Sequence, residues 1–290
     1  MAKLFVTGAL GLLGRSLVPF MQSKEYDVVS QSRAKDGDVN VDLTDYSQCE
    51  IVFDQVNPDL IINLAALTNV DICENNPNLA YLSNVHIVEN IVRWMKSRSK
   101  GFLIHMSTDQ VYDGVGPHKE ENVVLTNYYA FSKYAGELVA SQVPSTILRT
   151  NFFGLSECSG RVSFSDWLVG ALKKKDNITV FEDVFFSPLS MNKLIELISI
   201  VSSKRTTGVF NLGSREGLSK ADFAAILAQE LGLSSENMRR GVIGDSDLRA
   251  YRPKDMRMDS TGFERVFGVE LPTLKEEIQS MKGVYTNEAR

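Results

Sequence analysis

Short apolar runs alternate with stretches of helical periodicity through the first half of the chain. Residues 4–6 (Leu4-Phe5-Val6) predict a strand, 12–21 a helix and 28–29 a second strand. A third strand is expected at 59–63, after the Asn57-Pro58 turn, and a long helix at 78–99. Residues 101–106 predict a fourth strand, 126–141 another helix and 145–149 a fifth strand. Strands separated by helices imply a parallel, doubly wound sheet. Strands that are apolar without interruption fit burial on both faces. Beyond residue 150 the texture changes. Phe152-Phe153-Gly154 leads into a polar loop at 156–160, and the elements become shorter. Helices are expected at 164–174, 192–201, 220–231 and 273–281, with strands at 178–181 and 209–212. There is no repeat, low-complexity tract or long linker. The pattern predicts an α/β fold: a Rossmann-type doubly wound parallel sheet over residues 1–150, which binds NAD(P), and a smaller C-terminal lobe over 151–290. That lobe is mainly substrate-binding, and some of its segments are allowed to return to the first domain.

Composition narrows the class. The chain has 290 residues, enough for one large domain or two intimate ones. A hydrophobic fraction of 43% and a charged fraction of 23% belong to a soluble globular protein, not a disordered one. The net charge of −5 argues against nucleic acid as a partner and gives no reason to adhere to an anionic membrane. No apolar run approaches the ~20 residues of a membrane helix, and the apolar stretch before Gly8 is too short for a signal peptide. Cys49, Cys73 and Cys158 are far apart and read as reduced thiols of a cytoplasmic protein. His86, His105 and His118 are scattered, so no metal site is expected.

The first candidate chemistry lies in Thr7-Gly8-Ala9-Leu10-Gly11-Leu12-Leu13-Gly14, between the first strand and the first helix. A turn without Cβ atoms lets the backbone approach a pyrophosphate, and the helix N-terminus supplies N–H groups and positive potential. Gly8, Leu10, Gly11, Leu12, Leu13 and Gly14 are therefore candidate cofactor residues. An NAD site places a carboxylate at the end of the second strand to grip the ribose 2′-hydroxyl. Here Ser30-Gln31-Ser32-Arg33 offers a hydroxyl and a guanidinium instead. Ser32 and Arg33 thus point to the 2′-phosphate of NADPH, with NADH the alternative and a solvated Arg33 an equal one. Asp42 and Leu43 are placed near the adenine. Leu64, Ala65 and Ala66, after the third strand, are small enough in part to admit the cofactor backbone.

Tyr129 and Lys133, four apart on a predicted helix, share a face. A nearby ammonium lowers the pKa of a phenol and lets it exchange a proton with a substrate carbonyl. The alternative is an ordinary surface pair. Upstream, Thr108 follows the fourth strand in Ser107-Thr108-Asp109, at the strand edge where open parallel sheets bind ligands. Tyr128 is out of register with Lys133 and is assigned to packing, as are Trp94 and Trp167. His105 is expected in the core and His86 partly buried. Lys173-Lys174-Lys175 reads as a solvated helix end. Arg252 and Arg257 suit a diphosphate, with a surface loop equally open.

At this point the sequence resembles an extended short-chain dehydrogenase/reductase, and within that superfamily the dTDP-4-dehydrorhamnose reductase family. The matching pieces are residues 7–14, 58–66 with Thr68 and Val70-Asp71, and Ser107-Thr108-Asp109-Gln110-Val111-Tyr112-Asp113-Gly114. Tyr129 to Lys133 with Gly136-Glu137, Ile147-Leu148-Arg149-Thr150, Arg252-Pro253, Arg257-Met258-Asp259 and Phe267-Gly268 match as well. The resemblance implies NAD(P)H-dependent reduction of the C4 ketone of a nucleotide-linked deoxysugar such as dTDP-4-dehydro-L-rhamnose. Thr108, Tyr129 and Lys133 would be catalytic, with Tyr129 and Lys133 also touching the cofactor. Thr68, Val70, Thr108, Asp109, Phe152 and Arg252 would hold substrate. Phe152 stands where the family often has Trp. The family's Asp-Gln-x-Gly-x-Pro-Thr stretch reads Asp183-Val184-Phe185-Phe186-Ser187-Pro188-Leu189 here. Gln110 replaces the Glu of related dehydratases and disfavours water elimination, which needs a second acid/base group. An epimerase of the same fold, or a non-catalytic subunit like the regulatory one of methionine adenosyltransferase, remains an alternative. A homodimer is left open.

Overall fold

The computed structural model describes residues 1–33, 36–158 and 160–287; Ser159, in the expected polar loop, lies outside them. Contacts divide the chain into two compact units. The first comprises Met1–Thr108, Asn127–Arg149 and Ile195–Phe210, and the second Asp109–Thr126, Thr150–Leu194 and Asn211–Arg290. The units are thus interleaved in sequence, and Asp109–Thr126 groups with the second unit although it follows the fourth strand of the first.

The first unit is built on the strands β1 (Lys3–Thr7), β2 (Asp27–Ser32), β3 (Val39–Asn40), β4 (Leu60–Asn63), β5 (Phe102–Met106) and β6 (Ser145–Thr150). β1, β4 and β5 carry the apolar runs Leu4-Phe5-Val6, Leu60-Ile61-Ile62 and Phe102-Leu103-Ile104, which are buried because both faces of the sheet are covered there. With β11 (Gly208–Leu212) they form a seven-stranded sheet in the order β11-β6-β5-β4-β1-β2-β3. The pairs from β3 to β6 are parallel, with Phe5 opposite Val29 on one side and Ile61 on the other. The strand order reverses between β1 and β4, which is where such sheets open a crevice beyond their carboxyl ends.

Helices α1 (Gly14–Ser23), α2 (Tyr46–Val56), α3 (Val70–Asn75), α4 (Pro77–Tyr81), α5 (Ile87–Arg98) and α6 (Tyr128–Ala140) complete the order. Asp45, Asn69, Asn76 and Asn127 cap α2, α3, α4 and α6 by accepting first-turn amides. The core packs Phe5, Phe53 and Trp94, with ring centroids 4.9 and 5.1 Å apart along that row. The helix expected at 78–99 is a composite: Leu82–His86, between α4 and α5, is a π turn. Such a turn inserts a residue into the i→i−4 ladder and is frequent at functional sites. The first helix starts at Gly14, not at residue 12, because Leu10–Leu13 is occupied by the turn.

The second unit uses short ladders. β7 (Phe152–Phe153) pairs with β10 (Leu189–Ser190), β9 (Phe185–Phe186) with β12 (Leu218–Ser219), and β8 (Ile178–Phe181) with β13 (Met238–Gly241). Helices α7 (Phe164–Lys174), α9 (Lys220–Leu231) and α11 (Leu274–Ser280) cover a core in which Phe153, Phe186 and Phe223 meet edge to face. α8 (Met191–Lys204), α10 (Thr261–Phe267) and α12 (Lys282–Asn287) are the remaining helices. Lys173 and Lys174 sit in the last turn of α7, and left-handed Lys175 ends it. No helix among the described residues is long and apolar enough to cross a membrane.

Gly136 reports how tightly α6 lies on the π turn. A Cβ there would stand 2.4 Å from the Asn84 carbonyl oxygen. Gly to Ala inside an exposed helix gains about 1 kcal/mol. Here backbone must move, so Gly136→Ala should instead lower the unfolding free energy by ~1–3 kcal/mol, read from urea denaturation with an unchanged m-value.

Candidate active site

The glycine loop is shaped by close backbone approach. Gly8 has φ 61°, and a Cβ on it would lie 3.0 Å from the backbone of Ala65. A Cβ on Gly14 would strike the Ala9 carbonyl at 2.4 Å. Thr7 Oγ1 accepts the amides of Leu64 and Ala65, both at 3.1 Å, and donates to Asn63 Oδ1 at 2.6 Å. The end of β1 is thereby sewn to the segment after β4.

Beyond this seam lies a cleft in the first unit. Gly8, Leu10, Gly11, Ser32, Arg33, Asp42, Leu43, Leu64, Ala65 and Ala66 all line it. Leu12, Leu13 and Gly14 do not: Leu13 is buried in the core and Gly14 packs on Ala9. Gln31, Thr44, Leu67, Leu79, Ser83 and Ile87 line it without having been singled out. Gln31 is the informative one. Its Oε1 accepts the Gly8 amide at 3.1 Å and its Nε2 donates to the Val41 carbonyl at 2.7 Å. An amide thus holds the loop where an acidic residue was looked for, and no carboxylate ends β2. Asp42 turns its Oδ1 to the Thr44 amide and hydroxyl.

α6 carries the candidate acid. Tyr129, Lys133 and Glu137 recur every four residues and are all buried. Lys133 Nζ donates to the Met106 carbonyl at 2.6 Å, at the end of β5 and two residues before buried Thr108. Burial pushes the Lys133 ammonium down to about 8, against the opposing pull of Glu137. His105, on β5, is fully buried as expected, and its Nδ1 lies 3.0 Å from Asn63 Nδ2. Burial and the Lys133 charge hold it well below its ordinary pKa. Asn84, in the π turn, was not singled out either. Its side chain binds both the amide and the carbonyl of Leu67, and donates to Ser132 on α6 at 2.9 Å. Thr68 is exposed, Val70 is buried at the start of α3, and Tyr128 is 47% exposed, not packed as expected.

Asp109, Phe152 and Arg252 belong to the second unit. Asp109 is buried and accepts from Asn151 Nδ2 at 2.7 Å. Arg252 donates to the Ala250 carbonyl at 2.9 Å, and Phe152 is half-buried on β7. Between Asp109 and Arg252 in electrostatic terms stands Lys220, at the start of α9. Desolvation lowers its pKa, Asp109 raises it and Arg252 lowers it further. Its ammonium lies 5.2 Å from the Phe164 ring centroid and 5.9 Å from that of Phe186. Trp167 stacks on Phe164 and stays 43% exposed, so it is less packed than expected. Val184, Phe186 and Leu189, where the resemblance falters, are all core residues. Among the described residues, no group of three or more His, Cys, Asp or Glu side chains could hold a metal ion.

The family model described as the RmlD substrate binding domain matches residues 2–286. A probable low-salt glycan biosynthesis reductase of Haloferax volcanii is 28% identical, over 98% of each chain. Methionine adenosyltransferase 2 subunit beta of Pongo abelii is 28% identical, over 90% of this chain and 81% of that one. The crystal structure of dTDP-4-dehydrorhamnose reductase from Bacillus anthracis str. Ames, in complex with NADP, superposes with a TM-score of 0.87 at 26% identity, covering 97% of this chain and 99% of that one.

A buried ammonium costs stability. A lysine whose folded pKa is about 8, against 10.5 unfolded, opposes folding fully below pH 8, and the penalty fades as pH rises from 8 towards 10.5. Lys133→Met removes it and loses one hydrogen bond. The variant should therefore be more stable than the natural protein by ~2–3 kcal/mol at pH 7. Denaturant melts should show that advantage shrinking steadily up to pH 10.

Proposed function

The chain belongs to the RmlD substrate-binding-domain family, and from that premise we propose that it reduces the C4 ketone of a dTDP-linked deoxysugar, dTDP-4-dehydro-L-rhamnose to dTDP-L-rhamnose, with NADPH. That it is a sugar-nucleotide reductase using NAD(P)H follows from its relatives and structural neighbours. The ketone-reduction part of this reading rests chiefly on one observation: Lys133, one helical turn from Tyr129, is anchored to the strand end that leads into Thr108.

The cleft fits a dinucleotide. The Gly8–Ala65 approach leaves no room for a Cβ, and small side chains at Ala65 and Ala66 line the wall. Ser32 and exposed Arg33, with no carboxylate between them, suit a 2′-phosphate. When bound, the reduced nicotinamide supplies the hydride for the ketone carbon. The chain supplies the rest. Thr108 donates a hydrogen bond to the ketone oxygen. Tyr129 delivers its phenolic proton to that oxygen as negative charge develops there. The Lys133 ammonium stabilises the phenolate left behind. In the second unit, Lys220 and Arg252 outnumber Asp109 in their mutual field, which suits the diphosphate of a nucleotide sugar.

The test is NADPH oxidation in the presence of dTDP-4-dehydro-L-rhamnose. Substrate-dependent oxidation should fall ~10²–10⁴-fold in Tyr129→Phe. No oxidation by the natural protein with either nicotinamide cofactor would sink the reading and favour a different keto sugar or a subunit role. Arg33→Ala should raise KM for NADPH by about tenfold while leaving that for NADH within twofold; equal effects on both would remove Arg33 from the phosphate site.

A further inference from the structure

The chemistry above uses two of the three ionisable residues that α6 buries. Glu137, one turn beyond Lys133, is as deeply buried as they are. Its carboxylate accepts from Arg149 Nε at 3.0 and 3.1 Å and from Nη2 at 2.7 Å. It also accepts from the Ser107 hydroxyl. Arg149 lies on β6 and is itself 3% exposed. Ser107 is the first residue beyond β5 and directly precedes Thr108. One carboxylate therefore ties the helix of the proposed acid to the ends of two neighbouring strands.

Arg149 and Ser107 both donate to Glu137, an arrangement that suits a carboxylate acting as acceptor. Burying such a pair gives no net advantage over apolar residues of the same size, so stability alone does not explain it. The charge also reaches Lys133, where it opposes the effect of burial. The other groups facing Lys133 do not replace it. His105 on β5 is neutral, because its Nδ1 accepts from Asn63. Tyr129 lies on the same helix, and Arg149, the ion-pair partner of Glu137, is a cation and supplies no negative charge.

We propose that Glu137 is a positioning residue for the ketone reduction: anchored by Arg149 and Ser107, it holds the Tyr129–Lys133 face of α6 against the end of β5 and supplies the negative charge that faces Lys133. This rests on the reading of Tyr129 and Lys133 as catalytic.

Glu137→Gln alone leaves a buried guanidinium unmatched and threatens the fold. The decisive variant is the double change Glu137→Gln with Arg149→Met, which removes both charges. Ser107→Ala removes a tether and no charge. The measurement is kcat and KM for NADPH-dependent reduction across pH, with circular dichroism to confirm folding. The folded double variant should lose about tenfold in kcat, with its alkaline limb moved about one unit to lower pH, since Lys133 loses its proton sooner. Ser107→Ala should lower kcat a few-fold with the limb unmoved. A folded double variant with natural kcat and an unmoved limb overturns the proposal. If the double variant does not fold, Glu137→Asp decides: a charge kept but withdrawn by one methylene should lower kcat and leave the limb in place, and unchanged kcat overturns the proposal. Lys133→Met and Tyr129→Phe separate the two readings. Activity in either sinks the catalytic assignment; inactivity in both, beside an unchanged double variant, sinks only the role of Glu137.

Discussion

The first unit depends on a line of hydrogen bonds across the carboxyl ends of three adjacent strands. Thr7 on β1 accepts the two amides that follow β4, so its hydroxyl proton has to go to Asn63 Oδ1. That fixes the Asn63 amide, which turns its nitrogen to His105 Nδ1 on β5. The imidazole must then accept at Nδ1 and carry its proton at Nε2. A protonated ring would set donor against donor in a fully buried place. One threonine hydroxyl thereby determines the tautomer of a histidine two strands away, and closes the backbone gap that the glycine loop occupies.

The same economy explains why so much polar material is buried behind α6. Neutral His105 leaves Lys133 and Arg149 as the buried cations of that corner. The Met106 carbonyl receives the Lys133 ammonium, and Glu137 answers it from one turn along the helix. None of this is what a sequence optimised for stability would choose: a buried lysine opposes folding, and a buried ion pair at best breaks even. The apolar strands Leu60–Asn63 and Phe102–Met106 offset that cost by packing completely on both faces. A well-packed hydrophobic sheet is what allows a costly buried polar edge to persist.

How much of this was legible beforehand follows from how local each signal is. β1, β4 and β5 announce themselves through runs of three apolar residues, β6 through the shorter pair Ile147-Leu148, and Tyr129 with Lys133 as a spacing on one helix. The place of Thr108 was legible too: it is expected just beyond the fourth strand and lies buried two residues past β5. The π turn at Leu82–His86 was not, since it changes hydrogen-bond register without changing the apolar pattern. Gln31 gives no signal in the sequence, because it carries no charge; the loop needs an acceptor for the Gly8 amide and a donor to Val41, and a neutral amide is both. Leu12 and Leu13 were drawn in by motif spacing, but the turn delays the helix until Gly14 and sends Leu13 into the core. Asn84 and Glu137 act through partners distant in sequence, Leu67, Ser132 and Arg149, which no window along the chain brings together.

The second unit teaches the converse. Val184, Phe186 and Leu189 break the family's pattern, and read as letters they cast doubt on the substrate. In the structure all three are buried, and Phe186 packs edge to face on Phe223. Their apolar character is thus accounted for by the core. Phe186 has a second role on its other side: with Phe164 it faces the Lys220 ammonium. An aromatic face attracts a cation without neutralising it. Burial lowers the pKa of this lysine, and the ring faces together with the Asp109 carboxylate offset the cost of the buried cation. The departure from the family pattern therefore follows from the packing of this unit's core and from the ring faces that the Lys220 ammonium meets.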